Sequence, residues 1–222
     1  SFITWRIEPG CGGVDDLWTG FRLCYVIEPG HAKADQSFEQ SDSQGLRRRA
    51  FSLSSPWTVE LYLDNQLDEV TDERMLAILR RRYEKKGDRT NDMPERRDIN
   101  LSSRLAFLKD VIDASSFATL CRQAHAVSEE RLRESLVFRQ AQDQAISRAK
   151  RELEQRNRRL ELRQEALLRD GDTPDPSLRT EIMLNASVLE AVASPVIRLE
   201  AIGFFVVAGV APASSASGEE AP

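Results

Sequence analysis

The chain is poor in the residues that most often carry catalysis. It has two histidines, His31 and His125, and three cysteines, Cys11, Cys24 and Cys121. The cysteines are odd in number and widely spaced, with no CxxC pair and no Cys/His ligand pattern, so neither a disulfide scaffold nor a zinc module fits. That usage suits a reducing compartment. HExxH, GxSxG and EF-hand patterns are missing too. A Cys–His pair one turn apart, Cys121 and His125, lacks an orienting acid or a glycine-rich oxyanion loop nearby. "GCGG" at 10–13 resembles a phosphate loop only superficially. Val14-Asp15-Asp16 follows it, where a phosphate loop needs Lys and Ser/Thr, so it reads as a turn between strands. No metal, cofactor or catalytic residue is expected.

Long apolar runs are lacking as well. The longest, Phe204–Ala213, is broken by Gly209 and Pro212. It falls short of the roughly 20 apolar residues that span a bilayer, so no membrane partner is expected. The start carries no signal-peptide pattern, and the first residue is Ser rather than Met, which suggests a processed chain or a fragment. What is present is ordinary for a globular protein: 222 residues, 41% hydrophobic, 30% charged, net charge −5.

The first third alternates with period two. In "GFRLCYVIE" (20–28), Phe21, Leu23, Tyr25 and Ile27 face away from Arg22, Cys24, Val26 and Glu28. "WTVELYL" (57–63) sets Trp57, Val59, Leu61 and Leu63 against Thr58, Glu60 and Tyr62, and "ITWRI" (3–7) is a weaker strand. Between them, 30–50 is polar without a period and reads as an exposed loop carrying Arg47-Arg48-Arg49. Thr71 is placed to cap a helix, with Asp72 and Glu73 at its positive end and an apolar stripe through Met75, Leu76, Ile78, Leu79 and Tyr83. Residues 87–98 read as a polar loop. Leu105, Leu108, Val111 and Ile112 open another helical pattern, continued by Phe117, Leu120, Cys121 and Ala124 after a break at Ser115-Ser116.

Ser128 with Glu129 and Glu130 predicts the start of the longest helix, 128–169. Ile146, Leu153, Leu160 and Leu167 recur every seven residues, while Ala149, Arg156 and Arg163 fill the second row of the seam. "DGDTPDPS" (170–177) reverses the chain. Ile182 and Leu189 then repeat at seven, with Leu178, Val188 and Val192 beside them. The pattern predicts an antiparallel helical hairpin whose distal part projects as an arm.

In the closing stretch, Ile197, Leu199 and Ala201 oppose Arg198 and Glu200. From Ile202 through Phe204, Phe205, Val206 and Val207 both faces are apolar, as in an interior strand. "APASSASGEEAP" is then read as a disordered tail.

The expected fold is α+β: a small, mostly antiparallel sheet of N-terminal strands plus a C-terminal strand, packed with helices and the hairpin. The expected divisions are a strand-rich base with covering helices at 1–127, the hairpin at 128–194, the returning strand at 195–209 and the tail at 210–222. Basic clusters are the candidate binding groups: Arg80, Arg81, Arg82, Lys85 and Lys86, then Arg148, Arg151, Arg158 and Arg159 within a basic stretch at 148–169. They suit nucleic-acid phosphates. They equally suit a solvated helix face with intrahelical pairs such as Glu154–Arg158. No interleaved aromatics mark a base-stacking platform. Self-association through the heptad stripe is a further alternative, against which the tight turn and the matching 182/189 stripe favour pairing within the chain.

The order of "FRLCYVIEP", "WTVELYLD", a long Arg/Glu-rich helix, an Asp-Pro turn and a second helix running into "VIRLEAIGFFVV" resembles the C-terminal region of RapA/HepA-type proteins, over roughly residues 17–209. These are bacterial Swi/Snf-related, helicase-like ATPases, and RapA itself associates with RNA polymerase. The resemblance implies that an ATPase motor lies upstream; no Walker A lysine or DExH-type box occurs here. It implies a non-catalytic, cytoplasmic accessory domain that binds the motor core of the same protein, RNA polymerase, or DNA or RNA. Related ATPases also act in antiphage defence.

Overall fold

A computed structural model describes residues 2–7, 17–30, 40–83, 97–100, 114–171 and 173–208. The expected tail, Lys85 and Lys86, the 105–113 helical pattern and the GCGG turn lie outside the described residues. Strands β1 (Phe2–Ile7), β2 (Leu17–Glu28), β3 (Trp57–Asp64), β4 (Arg97–Asn100) and β5 (Val196–Ala208) form one sheet in the order β3-β2-β5-β1-β4. The helices are α1 (Gln40–Leu53), α2 (Glu73–Arg80), α3 (Ala114–Glu134), α4 (Leu136–Arg169) and α5 (Pro176–Ala193). The α+β class is as expected. The sheet is mixed, because β1 runs antiparallel to β4 and parallel to β5.

The closing strand holds the central position. Its first half alternates, and Phe204, Phe205, Val206, Val207 and Ala208 are all buried. One face of it packs on α2: Phe205 and Val207 join Tyr62, Met75, Leu76 and Leu79. On the other face, Phe204 meets the rings of Phe21 and Phe117, at centroid distances of 5.1 and 5.5 Å.

The contacts divide the chain into two units. One comprises 1–24, 60–130 and 199–222; the other comprises 25–59 and 131–198. The core of the second unit joins three helices. Ala149 and Leu153 of α4 and Val188, Ala191 and Val192 of α5 pack with Leu46, Ala50 and Leu53 of α1. Gly30 closes this unit: its N–H donates to the Ala191 carbonyl at 2.8 Å, and a Cβ there would lie 2.0 Å from the Ser194 carbonyl oxygen. At the hairpin reversal, Gly171 takes a positive φ of 85° that glycine adopts without steric cost.

Four local expectations are corrected. Residues 40–53 form α1, so Arg47, Arg48 and Arg49 lie on a helix rather than in a loop. Its burial follows the i, i+4, i+7 spacing of Leu46, Ala50 and Leu53. Asp72, not Thr71, caps α2, accepting from the Arg74 N–H at 3.1 Å. The long helix starts at Leu136, not Ser128. Ser128 is fully buried inside α3, where its hydroxyl donates to the His125 carbonyl, and Ser135 is the actual cap, accepting from the Phe138 N–H. Arg97 and Asp98, expected in a polar loop, belong to β4.

Phe204 is buried and packs against two rings, edge-on to Phe117 and tilted to Phe21, so Phe204→Ala should cost about 3–5 kcal/mol. Chemical denaturation of the two proteins measures it; a near-neutral change would place the strand at the surface.

Candidate functional site

Period-two alternation sets the site. The register places Thr4 opposite Asn100 and Arg6 opposite Asp98 across β1 and β4, and Thr4 opposite Phe205 across β1 and β5. Cross-strand partners share a face. That face of the first unit also carries Glu60 and Tyr62 of β3 and Arg22 of β2, joined by the contacts below. The end of α2 closes over it. Together they enclose a recess of about 500 Å³ lined by Arg6, Arg22, Arg80, Arg81 and Arg82, with Thr4, Asn100, Tyr83 and Phe205 completing the wall.

Arg6 is 3% exposed and is the recess's innermost charge. Its guanidinium donates to the carbonyl of Ile78 and, at 2.6 Å, to that of Arg81, so it caps the C-terminus of α2. Its Nε lies 3.6 Å from Asp98 Oδ1, and its guanidinium carbon sits 5.2 Å from the centre of the Phe205 ring. Arg81 reaches the same Asp98 oxygen at 3.3 Å. One buried carboxylate thus positions two guanidinium groups.

Glu60 does the same on the other side. It accepts from Arg22, from the Tyr62 hydroxyl at 2.6 Å and, more weakly, from the Cys24 thiol at 3.5 Å. The Arg80 guanidinium stands 5.7 Å from the centre of the Tyr62 ring. Partial burial pushes the Glu60 carboxyl up, but hydrogen bonds from Arg22 and Tyr62 outweigh it and hold the group below its ordinary value. Burial and the bond to Glu60 push the Tyr62 phenol up to about 12. Burial and Glu60 also raise the Cys24 thiol. Five guanidinium groups therefore line the recess, and Asp98 and Glu60 pair with three of them. Arginine is suited to bidentate contact with phosphate or carboxylate.

Of the predicted binding residues, Arg80, Arg81 and Arg82 line this recess. Arg6, Arg22, Tyr83 and Asn100 are not among the predicted binding residues; the sequence shows Arg22 only as a polar-face residue of its strand and Tyr83 only as part of an apolar stripe. In the second unit, Arg148, Arg151, Arg156 and Arg159 line a second recess of about 530 Å³ along α4, with Glu152 and Gln155. Arg158 is exposed and does not line it. The intrahelical pair seen on this stretch is Lys150–Glu154 at 4.0 Å.

Of the hairpin stripe, Leu153, Ile146 and Leu189 join the core of the second unit. Leu153 is buried, while Ile146, Leu160, Leu167, Ile182 and Leu189 are half-buried. Ala149, on the second row of the seam, is fully buried. Asn185, 1% exposed, donates to Asn157 at 2.7 Å across the hairpin. Cys121 and His125 lie on α3; burial raises the thiol, and His125 Nε2 sits 3.8 Å from Glu129. Among the described residues, no group of three or more His, Cys, Asp or Glu side chains could hold a metal, and no helix is long and apolar enough to cross a membrane. Comparison with family models and with curated proteins finds no match.

Two outcomes follow from this geometry. Asp98→Ala leaves the buried Arg6 charge without its carboxylate and should cost about 3–5 kcal/mol, read by denaturant titration. The second concerns pH. With an ordinary value of 10.0, an unfolded Tyr62 loses its proton well before the folded one, near 12. Stability from Tyr62 is thus complete below pH 10 and falls as pH rises toward 12. Glu60 has the opposite sign, its contribution being present at neutral pH and lost in acid. Melting temperatures should drop more steeply from pH 10 to 12 in the parent protein than in Tyr62→Phe; parallel curves would contradict the assignment.

Proposed function

We propose that the chain is a non-catalytic, nucleic-acid-binding accessory domain of a cytoplasmic Swi/Snf-type, RapA-like ATPase. The observation that carries the binding half is the arginine recess on one sheet face, with the guanidinium groups of Arg6, Arg81 and Arg22 held by Asp98 and Glu60. A solvated helix face needs no such arrangement, since exposed arginines gain little from being fixed. The order of strands, long helix, Asp-Pro turn, second helix and closing strand supports the family half. In this reading the motor of the same protein lies upstream and engages the domain, and RNA polymerase is a further partner.

Phosphate neutralisation makes binding salt-dependent. The logarithm of affinity should fall linearly with the logarithm of salt, with a slope of about −0.9 per phosphate contact on duplex DNA. Arg80→Ala with Arg82→Ala should flatten that slope by about one to two and weaken binding across unrelated sequences. Both residues are exposed, so folding is spared. Anisotropy titrations with duplex and single-stranded DNA and RNA at several salt concentrations provide the measurement. Affinity unchanged by the substitutions would remove the recess from the interface. Pull-down of an RapA-like motor core or RNA polymerase by the domain tests the remaining half.

A further inference from the structure

We infer that the recess takes a terminal phosphate, the phosphomonoester end of a nucleic-acid strand, rather than the internal phosphates of a continuous backbone. The inference rests on the nucleic-acid reading above and names the feature that the recess recognises.

Three properties point there. The first is convergence. Arg6 and Arg22 rise from two strands, and Arg80, Arg81 and Arg82 come from the end of α2, yet all five line a single recess. Internal phosphates are strung along a strand, and a row of cations matches them better than a focus does. The second is charge. A phosphodiester carries one negative charge, whereas a phosphomonoester carries about −1.5 to −2 near neutral pH and has three acceptor oxygens. Five guanidinium groups opposed by two carboxylates match the greater charge. The helix C-terminus would repel an anion, but its Ile78 and Arg81 carbonyls are already covered by Arg6.

The third property is size. About 500 Å³ lies in the range of small-ligand sites, enough for one terminal nucleotide but not for a duplex. The wall suits the rest of that nucleotide. Tyr83 offers a ring to the base, and Thr4 and Asn100 bring polar side chains for the sugar.

The test uses the full chain and one short labelled single strand, prepared with a 5′-phosphate, a 3′-phosphate or hydroxyl ends. A nucleoside monophosphate serves as a separate competitor. One phosphorylated end should bind about tenfold more tightly than the hydroxyl form, the effect of one or two charge-assisted hydrogen bonds. Arg22→Gln or Arg80→Gln should erase that preference while leaving residual, salt-sensitive binding; thermal melts confirm that each variant is folded. Equal binding of all three strands would overturn the terminal-phosphate inference and leave the nucleic-acid reading standing. Absence of binding to all three strands and to duplex alike would overturn both. Displacement by the mononucleotide at the concentration that suffices for the phosphorylated strand would overturn the strand-end inference in favour of a free nucleotide.

Discussion

A buried guanidinium organises the first unit. Arg6 has been taken almost wholly out of water, which costs several kcal/mol unless its donors are met. Three elements compensate it: carbonyls at the end of α2 accept from its guanidinium, the carboxylate of Asp98 on β4 lies 3.6 Å from its Nε, and the ring of Phe205 on β5 faces its charge. Each partner solves a problem of its own. A helix end leaves carbonyls without intrahelical donors, and Arg6 covers two of them. Asp98 is itself buried and needs a cation. A short edge strand such as β4 has little apolar surface, so its attachment depends on that charge pair and its ladder to β1.

The same economy explains how so many like charges share one recess. Guanidinium groups brought together repel, and a flexible cluster would spread into solvent. Here Asp98 bridges Arg6 and Arg81, Glu60 holds Arg22, and Tyr62 offers its ring to Arg80 and its hydroxyl to Glu60. The fixed pairs supply part of the counter-charge and the orientation, leaving an excess of positive charge in the recess. Arginine keeps its charge in such surroundings, whereas lysine loses its proton more readily on desolvation.

Much of this was legible in the strands and little of it in the basic clusters. Alternation correctly separated Arg22 and Cys24 from Phe21 and Leu23, and Glu60 and Tyr62 from Leu61 and Leu63. It could not say which strands are neighbours, because pairing between distant segments leaves no local trace. β4 was missed because Arg97-Asp98-Ile99-Asn100 is four residues long and mostly polar. Its strand character comes from the ladder and the Arg6–Asp98 pair, not from its own composition. α1 was missed because three consecutive arginines obscured the Leu46, Ala50, Leu53 spacing. The arginines of the triplet whose contacts are resolved are occupied in structure: Arg49 donates to Glu181 at 2.7 Å, and Arg47 lies 3.9 Å from Glu28 and over the Phe51 ring. The heptad stripe pointed to the right hairpin, but the seam is densest where Ala149 and Leu153 meet α1 as well as α5.

Net charge proved the least informative quantity of all. An excess of −5 across the chain argues against a protein that is basic throughout, and says nothing about how charge is distributed. What an approaching anion experiences is the local field, and a recess with low-dielectric walls concentrates field lines from the charges that line it. Acidic side chains in bulk water beyond a Debye length, roughly 8–10 Å at ordinary ionic strength, scarcely weaken that field. A chain that is acidic as a whole can therefore carry local concentrations of positive charge, as the five guanidinium groups of this recess and the four arginines along α4 do.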